Sequence, residues 1–185
     1  MRIISGRFKG KSIEFLKTTK TRPLKDSVKE SIFNILNHSN KINLDFEKSN
    51  VLDLYSGIGS FGLECLSHGA NKVTFVEKDK IACEILKKNL VKLSILNQAK
   101  ILNDSAENIL KKNNEKFDIF FFDPPFLNSN FIDNLKLIKE KKIFNNNHLI
   151  IIHREKNSKD NFKNILNPLF MKEYGRSKII FGVFI

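Results

Sequence analysis

The sequence predicts an α/β fold: a mostly parallel seven-stranded sheet with helices on both faces, plus an N-terminal β-hairpin extension. Three observations carry this expectation. From residue 50 onward, short apolar runs alternate with helix-length amphipathic stretches, the pattern of strands joined by helical crossovers. The run Phe117-Asp-Ile-Phe-Phe-Phe122 is almost continuously apolar, as suits a parallel strand buried on both faces. The glycine run Gly57-Ile-Gly-Ser-Phe-Gly62 falls between the first such strand and a helix, at the strand ends where open α/β sheets hold their ligands.

In chain order, Ile3-Ile4 and Ser12-Ile13-Glu14-Phe15 flank Gly6-Arg7-Phe8-Lys9-Gly10 and read as a hairpin. Arg22-Pro23 marks a turn, because the residue before a proline avoids the helical region. Asp26 caps a helix with Val28, Ile32, Phe33, Ile35 and Leu36 as its apolar stripe and an end near His38-Ser39-Asn40. Residues 41–48 look like a mobile connection. Residues 51–55 form the first strand of the main sheet, a helix runs to about Ser67, and residues 72–77 form the second strand. Asp79 starts a helix whose inner face is Ile81, Ile85, Leu86 and Leu90. Residues 99–102, 117–122 and 148–153 are the third to fifth strands, with helices over 105–112 and 131–141. Residues 161–166 can form a helix, while 111–114 and Asn145-Asn146-Asn147 read as loops. Strands around 171–174 and 178–185 complete the sheet. The expected division is 1–40, a basic hairpin and helix packing on the main domain, and 41–185, the main domain.

With 185 residues the chain can build a single three-layer core. Lys plus Arg total 32 against 20 Asp plus Glu, a formal charge of +12. That surplus favours a polyanionic partner through phosphate neutralisation and counterion release; the bland alternative is a solvated surface bias. The first 25 residues carry eight of these cations against one acid, Glu14. Arg2, Arg7, Lys9, Lys11, Arg22 and Lys25 are the expected nucleic-acid contacts, the competing role being a sheet edge blunted by lysines. Cys65 and Cys83 form no CxxC pair or Cys/His cluster, so neither a disulfide framework nor a metal site is expected. No apolar run reaches the length of a membrane span and none resembles a signal peptide. A cytoplasmic protein is expected, and nothing demands more than a monomer.

Gly57 to Gly62 fits GxGxxG, whose glycines permit a tight turn and close backbone approach to a ligand. By itself this serves a dinucleotide as well as S-adenosylmethionine. Glu77 even stands where a dinucleotide site keeps its ribose-binding acid. Two features favour S-adenosylmethionine. Asp53, shortly before the first glycine, would repel a pyrophosphate but suits a ligand with a cationic ammonium and sulfonium. Asp123-Pro124-Pro125-Phe126 ends the fourth strand, and no dinucleotide fingerprint requires it. Glu77 then reads as the ribose ligand, with a helix N-terminal charge as its other role. Asp104 or Ser105 is placed for the adenine edge, unless Asp104 only caps the next helix. The expected cofactor set is Asp53, Tyr55, Ser56, Gly57, Gly59, Phe61, Glu77, Lys78, Asp104 and Ser105.

Asp-Pro-Pro-Phe suits methylation of a planar amino group. The lone pair of such a nitrogen is delocalised into its ring, so the nitrogen must move toward tetrahedral geometry to attack a methyl. A carboxylate and a carbonyl that accept its two N–H bonds favour that geometry and the charge developing on nitrogen. Asp123 supplies the carboxylate, Pro124 the carbonyl, Pro125 stiffness, and Phe126 a face on which a base can stack.

Asp53 to Gly62 resembles the first motif of class I methyltransferases. Together with Arg2 to Lys11, Arg22 to Phe33, Val51 to Glu64, Phe122 to Phe126 and Tyr174-Gly175, the whole chain is similar to the bacterial ribosomal small subunit methyltransferase D family, 16S rRNA guanine-N2 methyltransferases. The resemblance implies a class I methyltransferase Rossmann-like fold and S-adenosylmethionine as donor. It also implies a single guanine of 16S rRNA in the small ribosomal subunit as target, guanine 966 in conventional rRNA numbering. It carries over Asp53, Gly57 and Gly59 as cofactor loop, Glu77 as ribose ligand, and Asp123 to Phe126 as catalytic loop. The chain departs from the family at Leu24, commonly Thr, and at Asp104-Ser105, where an acid or Asn usually directly precedes the Ala. Three other functions compete: an adenine-N6 methyltransferase on DNA or RNA, a catalytically inactive ribosome-assembly factor, and a nicotinamide-dependent oxidoreductase.

Overall fold

The structure, a computed structural model, describes residues 1–15, 24–42, 44–125 and 130–185. The Arg22-Pro23 turn and the side chain of Phe126 lie outside the described residues. The main sheet contains β1 (Asn50–Leu54), β2 (Lys72–Val76), β3 (Ala99–Leu102), β4 (Phe117–Phe122), β5 (Phe144–Glu155), β6 (Leu166–Tyr174) and β7 (Ser177–Phe184). Among the described residues five helices accompany it: α1 (Asp26–His38), α2 (Ser60–Ser67), α3 (Lys80–Lys92), α4 (Ala106–Lys112) and α5 (Phe131–Lys141). The sheet order is β3-β2-β1-β4-β5-β7-β6. Pairs from β3 through β5 are parallel, and β7 joins β5 and β6 antiparallel. The order reverses direction between β1 and β4, and such a switch point opens a crevice at the strand ends.

Alternation of side chains divides the core. Val51, Val73, Phe75, Phe121 and Ile151 face α1, α2 and α3 together with Ile3 and Ile13. Leu52, Leu54, Phe120, Phe122, Ile150 and Ile152 face α4 and α5. This period of two is what a strand buried on both sides requires. Asp53 shares the face of Val51 and therefore lies beneath α2, where its Oδ2 accepts from the Gly62 N–H at 3.0 Å. Gly62 has no substitute here: a Cβ would stand 2.2 Å from the ring of Phe75.

The N-terminal runs pair antiparallel at Arg2 and Ser12, with the Ile3 N–H donating to Lys11 O and the Ile13 N–H to Met1 O. A short 3-10 turn, Gly6–Phe8, joins them. The segment is fastened to the helices rather than to the sheet edge. Ile4 N–H donates to Glu64, Phe8 N–H to Ser67 Oγ, and Asn89 exchanges two hydrogen bonds with the Glu14 backbone. Lys29 and Glu64 form an ion pair, 3.3 Å apart and both 1% exposed, and Lys29 also donates to Arg2 O. Burial pushes the Glu64 carboxyl up, opposed by the Ile4 N–H and the Lys29 ammonium.

Several expectations are corrected. Asp26 is the first residue of α1, not its cap; its carboxylate pairs with Lys29 at 3.2 Å. Ile81 is 60% exposed, because Ala82, Cys83, Leu86, Asn89 and Leu90 define the inner face of α3. Asn145-Asn146-Asn147 belong to β5, whose early part continues the sheet by pairing Phe144 with Phe117. Residues 161–166 form no helix: Asn164 takes a left-handed conformation and Leu166 is drawn into β6 opposite Phe184. Residues 46–48 of the connection form a 3-10 turn.

Candidate active site

A cleft of about 1180 Å³ opens over the carboxyl ends of β1 to β5. Asp53, Tyr55, Ser56, Gly57 and Phe61 enter its wall from β1, the following turn and α2. Glu77 and Lys78 enter after β2, Asp104 and Ser105 after β3, and Asp123, Pro124 and Pro125 after β4. The parallel register brings them together: Leu54 pairs with both Val76 and Phe122, and Val76 with Leu102, so four strand ends finish level.

Tyr55 leaves β1 with φ 61°, a left-handed conformation strained for a tyrosine. Its hydroxyl accepts from Asn134 Nδ2 at 2.7 Å, which ties the turn to α5. Gly59 caps α2 at φ 83°, and a Cβ there would lie 2.4 Å from Leu86 Cδ1. It shapes the turn and does not join the cleft wall. Ser56 Oγ is buried without a hydrogen-bond partner among the described residues.

Glu77 reaches across to the glycine turn: Oε2 accepts from the Gly57 N–H and Oε1 from the Asp79 N–H, both at 2.8 Å. Asp79, not Glu77, caps α3. Asn103 donates to the carbonyls of Glu77 and Lys78 and does not join the cleft wall. Ser105 is the side-chain cap of α4, while Asp104 accepts from Ser105 N–H and Asn108 Nδ2.

Asp53 is 1% exposed. Burial pushes its carboxyl well above the usual carboxylate range, opposed by the Gly62 N–H and reinforced by the negative charges of Asp123 and Glu77. Eight acidic residues line the cleft against five Lys and Arg, a balance that favours a cation over a pyrophosphate.

Two contacts of the Asp-Pro-Pro segment come from side chains that belong to no motif in the sequence. His153 Nδ1 lies 2.8 Å from Asp123 Oδ1. Arg154, 3% exposed, is gripped by both oxygens of Asp160 and donates to the Pro125 carbonyl at 3.4 Å. Its guanidinium also lies 4.6 Å from the centre of the Phe131 ring. The sequence carries no signal for His153: its place beside Asp123 follows from the pairing of Phe122 with Ile152 across β4 and β5.

Of the expected RNA contacts, Lys25 lines the cleft. Arg2, Arg7, Lys9 and Lys11 are exposed on the N-terminal segment, outside the cleft wall. Arg7 donates to Gln98 Oε1 at 2.6 Å, and both Arg7 and Lys11 lie over the Phe8 ring. Arg22 is outside the described residues. Phe15 and Arg176 join the cleft wall without belonging to any motif. Among the described residues, no group of three or more His, Cys, Asp or Glu could hold a metal ion, and no helix is long and apolar enough to cross a membrane.

The family model described as conserved hypothetical protein 95 matches residues 1–183. Ribosomal RNA small subunit methyltransferase D of Buchnera aphidicola subsp. Baizongia pistaciae is 33% identical, over 100% of this chain and 91% of its own. The Haemophilus influenzae protein of that name is 38% identical over 84% of this chain and 79% of its own. The solved structure of a putative methyltransferase from Escherichia coli superposes with a TM-score of 0.83 at 25% identity, covering 98% of this chain and 96% of that one.

Proposed function

The chain belongs to the conserved hypothetical protein 95 family, that of the ribosomal RNA small subunit methyltransferases D, and on that premise we propose that it methylates the exocyclic N2 of one guanine in 16S rRNA, guanine 966, with S-adenosylmethionine as donor. The observation that carries the reading is the level meeting of the acid–glycine turn after β1 with Asp123-Pro124-Pro125 after β4 in one cleft. Asp53, Ser56, Gly57, Glu77 and Asp104-Ser105 are the residues that would hold the cofactor. Two features support that fit: the unpartnered Ser56 Oγ and the carboxylate-rich wall around Asp53. The cofactor supplies an electrophilic methyl group.

The chain's own contribution is to position the nucleophile. Asp123 accepts one N–H of the target amino group and the Pro124 carbonyl accepts the other. This favours a tetrahedral nitrogen and the positive charge that grows on it. Holding that nitrogen in line with the methyl supplies most of the rate. No strong base is needed, because the methylated nitrogen is acidic and loses its proton afterwards.

Guanine N2 and adenine N6 present the same problem to Asp123, so the choice of guanine rests on the family and on the basic N-terminal segment. Nucleoside analysis of small subunits methylated in vitro tests it. N2-methylguanine at one mapped position is the expected product, and methyladenine as the sole product would overturn it. Replacing Arg7, Lys9 and Lys11 together by Gln is expected to weaken subunit binding. It should also reduce the slope of log affinity against log salt by about one for each phosphate that is no longer neutralised. Binding titrations at several salt concentrations check this; an unchanged slope would move the RNA-facing surface elsewhere.

A further inference from the structure

We propose that His153 is a positioning residue for the Asp123 carboxylate, an inference that rests on reading Asp123 as the acceptor of the target amino group. The two side chains meet because their strands run parallel. Phe122 and Ile152 pair across β4 and β5, and the next residue of each strand is Asp123 and His153. The His153 backbone is itself held in the sheet interior by β7, opposite Ile179. His153 is 8% exposed and joins the same cleft wall as Asp123.

An ionised carboxylate only accepts hydrogen bonds, so the ring nitrogen 2.8 Å from Oδ1 must be the donor. The proton therefore resides on Nδ1. This bond occupies Oδ1 and selects one rotamer of Asp123, which leaves Oδ2 to the substrate amino group. Without it, a short side chain at the start of a loop samples several rotamers, and the acceptor is misplaced for part of the time. The following residue steadies the other end of the same segment, since Arg154, fixed by Asp160, donates to the Pro125 carbonyl. The end of β5 thus holds the Asp-Pro-Pro segment at both ends. His153 touches neither the methyl nor the target nitrogen in this account; it acts through Asp123.

The chemistry of the donor gives a test that a merely structural role would not satisfy. Asparagine carries its amide nitrogen at about the position of Nδ1, whereas glutamine carries it near Nε2. Turnover on undermethylated small subunits is measured for His153→Ala, His153→Asn, His153→Gln, Asp123→Ala and the double variant His153→Ala/Asp123→Ala. Calorimetric affinity for S-adenosylmethionine and thermal melting accompany each.

His153→Ala and His153→Gln are expected to lose kcat by about 10- to 100-fold, the range for a hydrogen bond to a charged group. Cofactor affinity should stay unchanged, and His153→Asn should recover most of the loss. The double variant should turn over no more slowly than Asp123→Ala alone, because the two residues act as one unit. Equal turnover in the Asn and Gln variants, multiplying effects in the double variant, or a wild-type rate for His153→Ala would overturn the positioning role. Loss of folding in all three single His153 variants would assign the residue to the sheet and overturn it too. A different pattern, wild-type turnover in Asp123→Ala, would defeat the reading of the catalytic loop itself.

Discussion

Asp123→Ala is expected to lower methyl transfer to small ribosomal subunits by about 100- to 1000-fold, the usual cost of removing one preorganised acceptor or donor aimed at developing charge. The loss should fall on kcat. The carboxylate is proposed to contact the target nitrogen, not the cofactor, so the calorimetric dissociation constant for S-adenosylmethionine should stay within a few-fold of the wild type. The fold should tolerate the change. Asp123 is half-buried, its partner is the His153 ring, and its own N–H bonds to the Leu54 carbonyl through the backbone. Single-turnover assays with saturating cofactor separate chemistry from binding. Turnover comparable to the wild type would remove Asp123 from the mechanism. A matching loss of cofactor affinity would instead place the carboxylate in the cofactor's own site.

Asp53 has the second large effect, and here the expected loss is in binding. Asp53→Ala removes both the acceptor for Gly62 N–H and the carboxylate that a bound cationic ligand would hold ionised beneath the glycine turn, and about a 100-fold weaker affinity for S-adenosylmethionine is expected, the sum of a lost hydrogen bond and a lost ionic attraction in the complex. Asp53→Asn retains an oxygen for Gly62 and loses only the charge, so it should fall between the two.

The same residue sets a pH dependence. Burial and the neighbouring Asp123 and Glu77 charges raise the carboxyl of Asp53 well above its ordinary value. In the free protein the native state therefore keeps a proton that the unfolded chain releases. This stabilising contribution is fully present below the unfolded value and is lost as pH rises through the folded one. Cofactor binding runs oppositely, because a cationic ligand favours the ionised carboxylate. Affinity should increase as pH rises through the raised value and level off above it, and Asp53→Asn should flatten that rise. Calorimetry and thermal melting across a pH series check both signs. An affinity that falls over this range, or an Asn variant with the same profile, would dissociate Asp53 from the cofactor.

The strand and helix content was largely legible because it depends on local periodicity. The apolar run of β4 and the spacing of α1 and α5 need nothing beyond the chain itself. The failures came where tertiary pairing overrode local character. Three consecutive asparagines read as a loop, yet they extend β5 toward the far end of β4. Residues 161–166 had helical composition, but the antiparallel partner offered by β7 drew Leu166 into β6. Ile81 matched the apolar spacing of α3 and still faces solvent, since the sheet touches a face rotated from it.

The candidate site divides in the same way. The acid–glycine turn, the Asp-Pro-Pro segment and the basic N-terminal run are legible in the chain alone, because each is a contiguous string whose chemistry depends on residue type and order. Folding was needed to bring four strand ends level around one cleft and to turn Glu77 back onto Gly57. Folding also set His153 against Asp123 and Arg154 against Pro125. Those contacts join residues about 20 to 30 positions apart. They depend on strand register, which is fixed by burial on both faces of a sheet and leaves no local trace in the chain.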